Sequence, residues 1–127
     1  MPEFRTQPLE RQPMLAELAA ACEALARTGV AQVSVSFGWD SNLPIDQLWK
    51  DQVVPVHEAA TAIARSEANG VTQIGQSDVF IECPGFLFTL CHEGDIHVAG
   101  ESPLVQTIVT RWHALGYAPY ELSRPDA

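Results

Sequence analysis

At 127 residues the chain is long enough for one domain with a sizeable hydrophobic core and needs no disulfide or metal to hold it. Hydrophobic residues make up 46% and charged residues 18%, which excludes global disorder. Seven Lys and Arg face sixteen Asp and Glu, and the resulting net charge of −9 disfavours nucleic acid as a partner while favouring a basic protein.

Residues 1–12 are polar and broken by proline, and read as a flexible arm rather than a secretory signal. Residues 13–122 read as a single domain and 123–127 as a flexible tail. A first helix starts at Pro13, carries Leu15, Leu18, Cys22 and Leu25 on one stripe, and stops at Gly29. Residues 30–37 alternate, with Val33, Val35 and Phe37 on one face and Gln32, Ser34 and Ser36 on a wet one, as a half-buried strand requires.

The next stretch, GWDSNLPIDQLWKDQVV, has no strong period. Ile45, Leu48 and Trp49 could line a short helix fenced by Pro44 and Pro55. Long irregular connections in small domains tend to serve function. This one carries Trp39 and Trp49 with Asp40, Asp46 and Asp51 against a single Lys50. Tryptophan buries much area with few rotors, and carboxylates around it steer a basic partner. These five residues are the expected partner-binding set.

A second helix is expected over 55–69, with Asn69-Gly70 as its stop. Four short strands follow at 71–74, 79–83, 86–93 and 96–99, separated by GQSD, PG and GD. SPLVQTIVTRWHALG gives a third helix: Ser102 caps it, Pro103 opens it, and Leu104, Val105, Ile108, Val109, Trp112 and Leu115 form its apolar face. Residues 117–122 return as an edge strand, because Pro119 cannot donate to a ladder. The order α-β-α-β-β-β-β-α-β, with tight turns, predicts an α+β fold: a mainly antiparallel sheet with about three helices on one face.

CHEGDIHV, residues 91–98, holds the densest set of ligand-type side chains. A two-residue Gly94-Asp95 turn would set His92 across from His97 on one face, and put Cys91 and Glu93 on the other. Two histidines do not make a closed zinc site and the sequence marks no third ligand, so a solvated, pH-sensitive pair is the first reading. A metal- or small-ligand site using His92 and His97 is the alternative. His57-Glu58 begins H-E-x-x-H, but Thr61 stands where the second histidine belongs, which removes the metalloprotease reading. His113 suits a helix C-terminus. Cys22, Cys83 and Cys91 are odd in number and form no C-x-x-C, as expected of free thiols in a reducing cytoplasm. No nucleophile elbow, phosphate loop or carboxylate pair occurs, and no apolar run is long enough for a membrane span. A non-catalytic protein without cofactor is expected.

The run LCHEGDIHVAGESPLVQTIVTRWHALGY, residues 90–117, resembles a pattern in bacterial immunity proteins of polymorphic toxin systems: a strand ending C-H-E-x-D-I-H, a capped helix carrying Trp, then Gly-Tyr. The resemblance implies a small acidic cytoplasmic protein that neutralises a cognate toxin by occluding its active site. It carries over no residue roles. A scaffold subunit that only self-associates is the remaining reading.

Overall fold

A computed structural model describes residues 2–122. In chain order the elements are β1 (Glu3–Arg5), α1 (Arg11–Arg27), β2 (Gln32–Phe37), β3 (Gln52–Pro55), α2 (Ala59–Ala68), β4 (Val79–Cys83), β5 (Phe86–Leu90), β6 (Ile96–Ala99), α3 (Leu104–Ala114) and β7 (Tyr120–Leu122). Short 3₁₀ turns lie at Ile45–Gln47 and Val56–Glu58. The seven strands form one antiparallel sheet in the order β3-β2-β4-β5-β6-β1-β7. The fold is α+β, as the periodicities predict.

Strand alternation sorts the sheet into two faces. Val33, Val35, Phe37, Val79, Ile81, Phe86, Phe88, Leu90, Ile96 and Val98 share the face that the helices cover, and all are buried. Against them pack Met14, Leu18 and Leu25 of α1, Ile63 of α2, and Val105, Ile108 and Trp112 of α3. α1 ends after Arg27 because Gly29, at φ 92°, lets its N–H reach Ala26 O and that of Val30 reach Leu25 O, a Schellman closure. Leu104 N–H donates to Ser102 Oγ at the start of α3.

One buried charge ties two helices together. Glu17 of α1 is 2% exposed and accepts three hydrogen bonds from the Arg111 guanidinium of α3, at 2.9, 3.2 and 2.9 Å. A bidentate guanidinium satisfies both carboxylate oxygens, which is what a carboxylate needs in order to be carried into a core.

The structure differs from the sequence expectation at several places. Where a flexible arm is expected over 1–12, Glu3–Arg5 form β1, paired with β6 and β7 inside the sheet, and α1 begins at Arg11, before Pro13. β3 lies in a stretch that shows no period and pairs with β2, while residues 71–74 form no strand and make only an isolated bridge from Ile74 to Ser77. β5 stops at Leu90 instead of running to residue 93. The tail expected at 123–127 lies outside the described residues. β7 is an edge strand, with Pro119 just before it.

Candidate functional site

The tryptophan loop, residues 38–51, joins β2 to β3 at one edge of the sheet. It forms only a short 3₁₀ turn at Ile45–Gln47 in place of the helix that Ile45, Leu48 and Trp49 could line, and Ile45 is 84% exposed. Trp39 and Trp49 are 59% and 45% exposed and stack edge to face, with ring centroids 5.1 Å apart. Asp40, Asp46 and Asp51 of the same loop are exposed. The structure therefore gathers the five expected binding residues on one loop, with both tryptophans open to solvent.

The loop is stapled down. Gly38 N–H donates to Asp78 O, Asp78 N–H to Trp39 O, Ser77 Oγ to Asp40 O and Asn42 N–H to Val71 O, at 2.7–2.9 Å. Asp40 and Trp49 have φ of 61° and 58°, a left-handed conformation that costs a bulky residue of order 1–3 kcal/mol. Surrounding structure must over-determine such angles, and strain of this kind concentrates at functional sites. Here it turns the Trp49 ring against Gly38, where an added Cβ would stand 2.6 Å from Trp49 Nε1.

Trp49 also reaches the sheet face that the helices leave uncovered. With Asp51, Ser36, Phe80, Glu82 and Leu87 it lines a hollow of about 150 Å³. Val53, opposite Ser34 on β2, adds an exposed apolar residue at the edge strand. Phe80, Leu87 and Val53 extend the surface beyond the residues the sequence singles out. The sequence marks a wet face only on β2, and the sheet order is what brings Phe80 and Leu87 beside Trp49.

The hairpin joining β5 to β6 lies at the same end of the sheet. Its register sets Leu90 opposite Ile96 and Thr89 opposite His97, leaving residues 91–95 as a five-residue loop. This corrects the expected two-residue turn. His92 and His97 are not a cross-strand pair, because the longer loop carries His92 beyond the ladder. Each histidine instead has its own carboxylate. His92 Nδ1 and its backbone N–H are both 2.7 Å from Asp78 Oδ1, and His97 Nε2 is 3.0 Å from Asp95 Oδ2. Between them lies Cys91, whose Sγ forms one close group with Asp78 and His92 and another with Asp95 and His97. The ligand atoms of each group lie within 4.8 Å of one another. Asp78 gave no signal in the sequence; it sits in a turn composition fourteen residues from His92.

The hydrogen bond that His92 donates to the Asp78 carboxylate holds His92 above its ordinary imidazole value. Burial pushes the Cys91 thiol up to about 12, aided by Asp95 and Asp78, and burial pushes Cys22 up to about 11. Cys83 rises through burial and Glu82. All three thiols are free and held away from the thiolate form. His57 and His113 are exposed, His57 in the 3₁₀ turn before α2 and His113 in the last turn of α3.

Beside His92 and Asp40 opens a cleft of about 740 Å³ that also takes in Glu67, Thr72, Gln73 and Gln76. Glu67 fixes its wall by accepting from Arg11, with Nε at 3.3 Å, and from Ile74 N–H at 3.0 Å. The Arg11 hydrogen bond, with the Ile74 bond and the Arg11 charge behind it, outweighs burial and holds the Glu67 carboxyl below its ordinary value. A depressed folded value means stability that is present above the unfolded carboxyl value, about 4.3, and is lost as pH falls through the folded one. Glu67→Gln should therefore be less stable than the parent near neutral pH. Urea unfolding across the acid range checks this: the gap should close below about pH 4, and a gap that stays constant would remove the ion pair as its cause.

The chain matches no protein-family model, no curated protein and no solved structure.

Proposed function

We propose that the chain is a non-catalytic, acidic protein-binding module, and that it acts as an immunity protein, capping a cognate bacterial toxin of basic surface. The observation that carries the binding reading is the Trp39–Trp49 pair: two large exposed rings on a stapled, strained loop that also exposes Asp40, Asp46 and Asp51. Rigid aromatic anchors lose little entropy on docking, and the carboxylates of the same loop match Lys and Arg on a partner. Val53, Phe80 and Leu87 continue the contact area across the open sheet face, and the Asp40 rim of the cleft suits an entering basic side chain.

The toxin as partner rests on the resemblance of residues 90–117. A cytoplasmic location follows from that role; the three free cysteines accord with a reducing compartment, and no helix among the described residues is long and apolar enough to cross a membrane.

The test is binding to the toxin encoded beside this gene, measured by calorimetry together with protection of cells that express it. Trp39→Ala should weaken binding by about 30-fold or more, the scale of a central aromatic anchor, while leaving the unfolding midpoint nearly unchanged. Binding should fall steeply with added salt. Absence of a complex and of protection would dismiss the immunity role. Light scattering that showed only self-association would favour a scaffold subunit instead.

A further inference from the structure

We infer that the β5–β6 loop is a binding site for a thiophilic divalent transition-metal ion, with zinc the best fit, ligated by Cys91 Sγ, an Asp95 carboxylate oxygen and His97 Nε2. This does not depend on the protein-binding reading.

The three ligand atoms lie within 4.8 Å of one another. A tetrahedral zinc ion with bonds of about 2.0–2.3 Å holds its ligands about 3.3–3.8 Å apart, so the cluster needs only small shifts to close on one. Thiolate, imidazole and carboxylate are the borderline-soft set that zinc takes up, whereas calcium and magnesium call for oxygen alone.

A second observation points independently to a cation ligand. Asp95 is 7% exposed, and its Oδ1 is buried without a hydrogen-bond partner. A buried carboxylate oxygen with nothing donating to it is costly, and a metal ion at the adjoining thiol and imidazole would satisfy it. The neighbouring group of Asp78, Cys91 and His92 lacks this demand. Asp78 Oδ1 already receives the His92 backbone N–H and faces its Nδ1, and the His92 side chain is 35% exposed against 13% for His97. Asp78 and His92 therefore flank the site, with His92 Nδ1 3.9 Å from Sγ, and leave a fourth coordination position to water.

The five-residue loop is what makes the set possible. Cys91 leaves the ladder after Leu90, its N–H donates to Asp95 O at 2.9 Å, and Gly94 N–H returns to Cys91 O at 3.0 Å. This closure puts residues 91 and 95 side by side, with His97 one strand step further on. On binding, the Cys91 S–H bond breaks and a metal–sulfur bond forms. The thiol proton leaves to solvent, the Nε2 proton that faced Asp95 Oδ2 is exchanged through solvent for one on Nδ1 so that His97 ligates as a neutral imidazole, and no electron is transferred. The metal replaces the proton that burial otherwise keeps on sulfur.

Tag-free protein stripped with a chelator and titrated with cobalt(II) tests the site. The expected result is one equivalent bound, with a thiolate-to-cobalt charge-transfer band that zinc then bleaches. Cys91→Ser should abolish the band. His97→Gln and Asp95→Asn should weaken binding about 100-fold or more, since even outer-shell changes cost about 10–100-fold, whereas His92→Ala should keep the band within a few-fold. X-ray absorption of the zinc-loaded parent, which needs no variant, should show one sulfur among nitrogen and oxygen ligands. Absence of the band and of a sulfur ligand overturns the proposal. A band that survives Cys91→Ser, or one lost in His92→Ala but kept in His97→Gln, overturns it as well.

Discussion

A chain lacking residues 1–8 is expected to lose about 5 kcal/mol or more, enough to consume the stability of an ordinary small domain. The loss comes from inside the sheet, where β1 lies one strand from the edge. Glu3, Phe4 and Arg5 pair with Ala99, Val98 and His97 on one side and with Leu122, Glu121 and Tyr120 on the other. Beyond the strand, Thr6 N–H donates to Ile96 O and Gln7 N–H to Tyr117 O, while Ile96 N–H donates back to Thr6 Oγ1 at 3.1 Å. Each such bond contributes about 1 kcal/mol net, and a buried group left without its partner costs about 1–3. Thr6 is 1% exposed and Ile96 is fully buried, so water cannot easily replace what is removed. Among the described residues β7 would also be left with no partner strand, since there it pairs with β1 alone. Urea unfolding followed by circular dichroism measures the effect. A truncated chain with the parent's midpoint would show that β1 contributes nothing to the fold.

Gly100→Ala is expected to destabilise by about 3–5 kcal/mol, through sterics rather than lost contacts. Gly100 has φ 130°, and a Cβ there would lie 2.1 Å from Gly85 O, 2.7 Å from Gly85 C and 3.1 Å from Phe86 Cα. All three are backbone atoms of the β4–β5 turn, so no side chain can rotate away. The same carbonyl of Gly85 accepts Ser102 N–H at 2.9 Å, which sets the approach into α3. Pushing it aside would disturb that bond and the packing of α3 together. Gly29→Ala is the control: φ is also positive but nothing stands within 4 Å, so only the left-handed backbone cost of about 1–2 kcal/mol applies. Thermal unfolding of the two variants side by side separates the effects. Equal shifts would mean that the Gly85 contact does not matter.

Much of the candidate site was legible as a list of residues and little of it as an arrangement. Trp39, Trp49 and their three aspartates stand out in the sequence because large aromatics sit among like charges in a stretch with no period. The structure puts both rings in solvent and beside the open sheet face, which no local pattern encodes. At the hairpin the residue types were right and the geometry was not. A pairing based on a two-residue turn placed Cys91 away from the histidines; the five-residue loop takes it off the ladder and puts its sulfur between two carboxylate–imidazole pairs. Register carries that much weight because the side-chain period of a strand is two, so a change in loop length decides which groups can meet.

By itself the sequence determined the three helices, the strands β2, β4, β5 and β6, and the acidic, tryptophan-bearing character of the β2–β3 connection. Helical stripes and strand alternation are local signals, set by which face of an element must be buried. Only the tertiary structure decided that EFR and QVVP are strands, that the chain's first strand lies inside the sheet, and that Asp78, Cys91, His92, Asp95 and His97 converge. EFR is too short to show a period and QVVP has no apolar–polar alternation, and the backbone groups of both are stabilised by partners many residues away. A cluster drawn from the ends of three strands exists only once those strands are laid side by side.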